Sequence, residues 1–110
     1  MTFDKDALME HFEGDTEIIE ELIEVFEMSY PETLDSLQEA ITESDSKSIE
    51  LHAHTLKGML SNFFAAGLKD KAFRIEQMGK NSSLTEAKEI YEEISVEMPC
   101  LINDLKKMAA

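Results

Sequence analysis

The residues best suited to chemistry lie in one stretch, His54-Thr55-Leu56-Lys57-Gly58, which runs on into Met59-Leu60-Ser61. An exposed imidazole is a competent nucleophile near neutral pH. If the stretch is helical, His54 shares a column with Gly58, Ser61 and Ala65, at i+4, i+7 and i+11. All three are small. Side chains at i+4 crowd a neighbour at i, so this column leaves the ring uncovered and lets a bulky molecule approach the helix backbone. Lys57, at i+3, brings a positive charge to the same column. The anion that best fits a lysine point charge beside such a ring is a phosphoryl group. Glycine in a helix interior costs roughly 1 kcal/mol relative to alanine, and access to His54 is a reason to bear it.

A helix must hold this column, and the apolar spacing supplies one. Ile49, Ala53, Leu56, Leu60 and Phe63 step by four and three within a predicted helix over 46–65. His54 lies one residue, about 100°, from that stripe, at the edge of the core face or on solvent. Three more helices carry the same pattern. One runs from Thr16 to about Ser44 through Ile19, Ile23, Phe26, Tyr30, Leu34, Leu37 and Ile41, with Pro31 expected to kink but not break it. A shorter one is defined by Leu68, Ala72, Ile75 and Gly79. The last runs from Leu84 through Ala87, Tyr91, Ile94, Met98, Leu101 and Leu105 to Met108, in phase across Pro99, with Ser83 and Glu86 expected to form a capping box. Phe3, Ala7, Leu8 and Phe12 suggest a short first helix, after which Asp15 caps the next. No segment alternates with period two. The expected fold is all-α: an antiparallel up-and-down four-helix bundle with a short extra N-terminal helix, a single domain over 1–110.

Composition narrows the function classes. The chain has 110 residues, enough for one domain with a modest core. It carries 24 acidic residues against 10 Lys and Arg, a formal charge of −14. Such a surface repels nucleic acid and anionic lipid. Cys100 is the single cysteine, so no intrachain disulfide forms, in keeping with a reducing compartment. The N-terminus lacks the apolar core of a signal peptide, and no apolar run approaches the ~18–20 residues of a membrane span. These features point to the cytoplasm, and a start at Met1 favours a free-standing protein. His52 is about 200° from His54 on a helix, so the pair cannot chelate one metal from one face. There is no Gly-rich phosphate loop, metal cluster or nucleophile triad, which argues against an independent enzyme.

The stretch His54-Thr55-Leu56-Lys57-Gly58 resembles the His-x-x-Lys-Gly signature of histidine-containing phosphotransfer (HPt) domains, the helical-bundle relay proteins of multistep two-component signalling. The run from Glu20 to Leu34, with its Tyr30-Pro31 pair, resembles the long helix that precedes the histidine in that family. Ser61 to Leu68 and Arg74 to Gly79 resemble the family's segments C-terminal to the histidine. The resemblance covers residues 14–80, and the final helix matches in length and character only. It implies that His54 accepts a phosphoryl group from a receiver-domain aspartate and returns it to another receiver. It implies that Gly58 leaves room for that receiver and that Lys57 stabilises the phosphate, with Ser61 adding to the access on the same column. It further implies a monomer without a cofactor of its own, working with response-regulator receiver domains and a hybrid sensor kinase, the receiver bringing the Mg2+ site. Three positions depart from the family pattern. Met59 and Leu60 follow the glycine where many members have small residues, and Phe64 stands where many have glycine.

Ile18, Leu22 and Val25 form a second apolar stripe, offset from the main face of their helix. It serves either as packing for Leu8 and Phe12 or as a receiver-docking patch, to which Phe64, Arg74 and Gln77 could add. Arg74, Gln77 and Lys80 lie on the helix running back past the histidine, where one of them could reach the phosphate. Glu50, at i−4 from His54, could hydrogen-bond the ring and hold one tautomer, though a solvated glutamate is the preferred reading, and the seven methionines read as mostly core filler. The competing function is a non-phosphorylated helical adaptor that binds receivers or other signalling proteins. The dimerisation domain of a sensor kinase ranks lower, because it is a two-helix hairpin followed by an ATP-binding domain.

Overall fold

The computed structural model describes residues 2–110. Among them the chain forms five helices and no strand: α1 (Lys5–His11), α2 (Thr16–Thr42), α3 (Ser46–Asn62), α4 (Ala66–Asn81) and α5 (Ala87–Ala109). Helices α2 to α5 make the bundle. Each packs on its sequence neighbour, and α2 also packs on α5, which closes the ring. Short connections force consecutive helices to run antiparallel.

Aspartates start three of the helices. Asp4, Asp15 and Asp45 each stand at an N-cap and accept a backbone N–H from the third residue on: Ala7 at 3.0 Å, Ile18 at 3.2 Å and Ser48 at 3.2 Å. Each satisfies a donor that the first helical turn would otherwise leave without a partner. The expected capping box of Ser83 and Glu86 does not form. Leu84 to Glu86 make a turn, α5 begins at Ala87, and Glu86 stands at the N-cap without a side-chain hydrogen bond. Its carboxylate lies 3.7 Å from Arg74 instead.

Pro31 and Pro99 lie inside α2 and α5, and both helices continue through them. Each removes one backbone donor but keeps the apolar phase. The predicted stripes fill the core: Leu37, Ile49, Leu56, Ile75, Ile94 and Leu105 are all without exposure. Phe26 of α2 stacks on Phe63 at the end of α3, with ring centroids 4.8 Å apart. The methionines depart from expectation. Among those described only Met98 is fully buried, whereas Met9, Met59, Met78 and Met108 pack at the edge of the core and Met28 stands in solvent. Tyr30 and Ile41 also sit at the edge rather than inside.

Helix α4 lies closest to α3, and it is this pair that builds the site. Their contacts step in opposite directions along the two chains. Gly79 meets the Ser46–Glu50 turn, Glu76 meets His54 and Lys57, and Phe73 meets Lys57.

Candidate functional site around His54

The stripe of α3 faces inward, and His54 projects from its solvent flank with 65% of its side chain exposed. One turn on, Gly58 faces open space: a Cβ built there finds no heavy atom within 4 Å. Ser61 continues the small column, and its hydroxyl is turned back to donate to the carbonyl oxygen of Lys57 at 3.0 Å. Nothing on α3 C-terminal to the ring therefore hinders approach.

The ring is not free to turn. Its Nδ1 lies 2.9 Å from Oε2 of Glu76 on α4, and Nζ of Lys57 lies 2.7 Å from the other oxygen, Oε1. That carboxylate is mostly covered, with 12% of the side chain exposed. Burial pushes the Glu76 carboxyl up, but the Lys57 ammonium and the His54 ring pull it further down, so it ionises below its usual range. An ionised carboxylate can only accept, so Nδ1 of His54 must carry the proton. In the neutral ring this leaves Nε2 with its lone pair, on the side away from α4. Lys57 is held on its other flank by Phe73, with Nζ 5.0 Å from the ring centroid. The site is thus an exposed imidazole of fixed tautomer, a cation one turn away, and one carboxylate that orients both.

The sequence alone does not single out Glu76; it offers Arg74, Gln77 and Lys80 for the α4 contribution. Arg74 instead lies 3.7 Å from Glu86, and Gln77 is half-buried and does not line the cavity beside His54. Glu50 borders the site without touching the imidazole. With Lys47, Leu51, His54 and Glu76 it lines an open cavity of about 380 Å3. A signal for Glu76 does exist. It follows Ile75 on the core stripe and precedes Gly79 by three, which puts it on the edge of α4. A carboxylate is also the one partner that both an Nδ1–H and an ammonium seek. Among the described residues, no group of three or more His, Cys, Asp or Glu is placed to hold a metal, and no helix is long and apolar enough to cross a membrane.

Comparison with known proteins fits this geometry. The Hpt domain family model matches residues 21–109. The chain belongs to the Hpt domain family. It is 31% identical over 108 residues to the phosphorelay intermediate protein rdeA of Dictyostelium discoideum; the match takes in 96% of this chain and 42% of that protein, so the chain spans less than half of its relative's length. The fold matches the crystal structure of histidine-containing phosphotransfer protein B (HptB) from Pseudomonas aeruginosa PAO1. The TM-score is 0.89 at 23% identity, over 98% of this chain and 94% of that one.

Within this Hpt domain the remaining candidate residues fall into separate places. Ile18 and Val25 are exposed, at 44% and 63%, while Leu22 leans on the core. Leu22, Val25 and Ser29 of α2 face Met59 and Asn62 of α3 across a shallow cleft of about 100 Å3. Met59 therefore packs between the helices and stays off the His54 column. Phe64 lies in the α3–α4 turn with φ of +56°. That left-handed backbone is one glycine adopts freely and a bulky residue does not. Its ring packs against the core and 5.6 Å from His11, and its carbonyl accepts from Asp4 at 3.0 Å. Phe64 thus ties α1 to the bundle end and is not part of the Leu22–Val25 cleft.

Proposed function

We propose that this Hpt domain is a phosphorelay intermediate, with Nε2 of His54 as the atom that carries the phosphoryl group. The observation behind it is the exposed ring whose Nδ1 is bound by Glu76 beside the open Gly58 column. A phosphorylated receiver aspartate is an acyl phosphate. In transfer its P–O bond breaks, a P–Nε2 bond forms, and the carboxylate leaves. The reverse reaction on a second receiver passes the group on. Lys57 offsets charge on the transferring group, and Gly58 and Ser61 admit the receiver. Leu22 and Val25, with Ile18 beside them, offer apolar contact to its docking face. Arg74, Gln77 and Phe64 are assigned no contact with it.

In this reading the domain supplies the acceptor and its orientation, while the Mg2+ site that shields the acyl phosphate belongs to the receiver. The domain needs no cofactor of its own, acts as a monomer in the cytoplasm, and takes its phosphoryl group from the receiver of a hybrid sensor kinase. Incubation with a phosphorylated receiver domain, followed by acid or base treatment, tests it. The expected label is lost in acid and stable in base. An acid-stable label would contradict it.

A further inference from the structure

The pairing of Glu76 with His54 has a consequence for the phosphorylated form, and it rests on His54 being the phosphoryl acceptor. When Nε2 attacks phosphorus, the ring already holds a proton on Nδ1. The immediate product is a phospho-imidazolium, with one positive charge on the ring. In water such a ring loses the Nδ1 proton above its ordinary range, and neutral phospho-imidazole is the poorer phosphoryl donor, because its leaving group would be an imidazolate. To give up the phosphoryl group it must first regain a proton.

We infer that Glu76 is a positioning residue that keeps this proton in the Nδ1–Oε2 hydrogen bond throughout the phosphorylated lifetime, so that transfer onward requires no proton from solvent. The balance is complete. The P–Nε2 bond breaks, its electron pair returns to Nε2, and neutral imidazole with Nδ1–H is restored as the receiver carboxylate or a water oxygen takes the phosphorus. With water as acceptor, the water's own proton goes to phosphate or solvent.

Three features of the site support it. The 2.9 Å contact joins an acceptor-only carboxylate to Nδ1, which leaves Nε2 free for phosphorus. Glu76 is largely shielded from water, which slows escape of the shared proton. Lys57, 2.7 Å from the second oxygen, keeps the carboxylate ionised without contacting Nδ1. The other charged groups at the site are Lys47 and Glu50 of α3, which line the same cavity. Glu93 and Glu97 of α5 are engaged by Lys71, and Glu86, at the N-cap of α5, by Arg74. The consequence is a phosphoryl group that is handed on readily and is correspondingly short-lived in water.

The test uses the whole domain phosphorylated with potassium phosphoramidate, as wild type and as Glu76→Gln, with loss of phosphohistidine followed by phosphorus NMR between pH 6.5 and 8. The wild-type rate is expected to stay within about threefold over that range. In Glu76→Gln it should fall steeply as pH rises, approaching roughly tenfold per pH unit once the ring proton is lost to solvent. Nitrogen NMR of the 15N-labelled wild-type phosphoprotein gives a second readout that needs no variant: Nδ1 should remain protonated at pH 8. Equal pH profiles in the two proteins, or an unprotonated Nδ1 in the wild type, overturn the inference while leaving His54 as acceptor. Failure of phosphoramidate to label His54 overturns the acceptor reading, and this inference with it.

Discussion

The backbone of Glu50 leaves no room for a side chain at Gly79. A Cβ built on Gly79 would stand 2.7 Å from the Glu50 nitrogen and 2.8 Å from the Ser46 carbonyl oxygen. Backbone cannot move aside as a flexible side chain can, so α3 and α4 touch here because Gly79 has nothing beyond Cα. One turn away on each helix, the same register brings Glu76 to His54.

Gly79→Ala should therefore destabilise the domain, although alanine is the better helix residue by about 1 kcal/mol. Overpacking against backbone costs typically 1–3 kcal/mol, so the thermal midpoint should drop by about 5–15 °C for a chain of this size. The His54–Glu76 contact should weaken as well, which a change in the His54 ring resonances would report. An unchanged or raised midpoint would show that the helices can part without loss.

Gly58 is the opposite case. A Cβ there meets nothing, so Gly58→Ala should raise stability by about 0.5–1 kcal/mol. Gly58→Gln should keep the helix content but slow phosphotransfer from a receiver by about tenfold or more, through obstruction of the approach. Phosphorylation by small phosphoramidate should change far less. If both donors slow equally, the glycine serves something other than partner access.

The Glu76 carboxyl predicts a pH dependence of stability. Its ionisation is held below the usual range by Lys57 and His54, against the opposing effect of burial. A depressed folded value means that ionised Glu76 favours the fold above the ordinary carboxylate range, and that this contribution fades as pH falls through the folded value. Glu76→Gln should be less stable than wild type at pH 7, with the gap closing below about pH 4. Urea unfolding at several pH values measures it. A gap that persists into acid would assign the effect to shape, not charge.

Much of the fold is legible in the residue pattern. The three-four spacing from Ala87 to Leu105 marks a helix whose inward residues are all buried, and Asp15 announces the start of α2. The His54 column follows from spacing alone, because the residues on it share one helix. What spacing within a helix does not encode is the register between helices. Glu76 reaches His54 only because Gly79 sets α4 against α3 at one height, so the pattern along α4 points equally to Arg74, Gln77 and Lys80. Ser83 and Glu86 have the residue types of a capping box, but the turn through Leu84 carries the chain past the geometry it needs. Phe64 breaks a local rule, with a bulky residue at φ +56°. Its packing beside His11 is a tertiary contact that nothing near it in sequence predicts.

The most direct measurement is the site of the label. Wild type and His54→Gln are each incubated with the same phosphorylated receiver domain and mapped by mass spectrometry under neutral conditions. A phosphoryl group on His54 in the wild type, and none on the variant, is the predicted result. A label of equal yield on His54→Gln, or on His52 or His11 in the wild type, would contradict it.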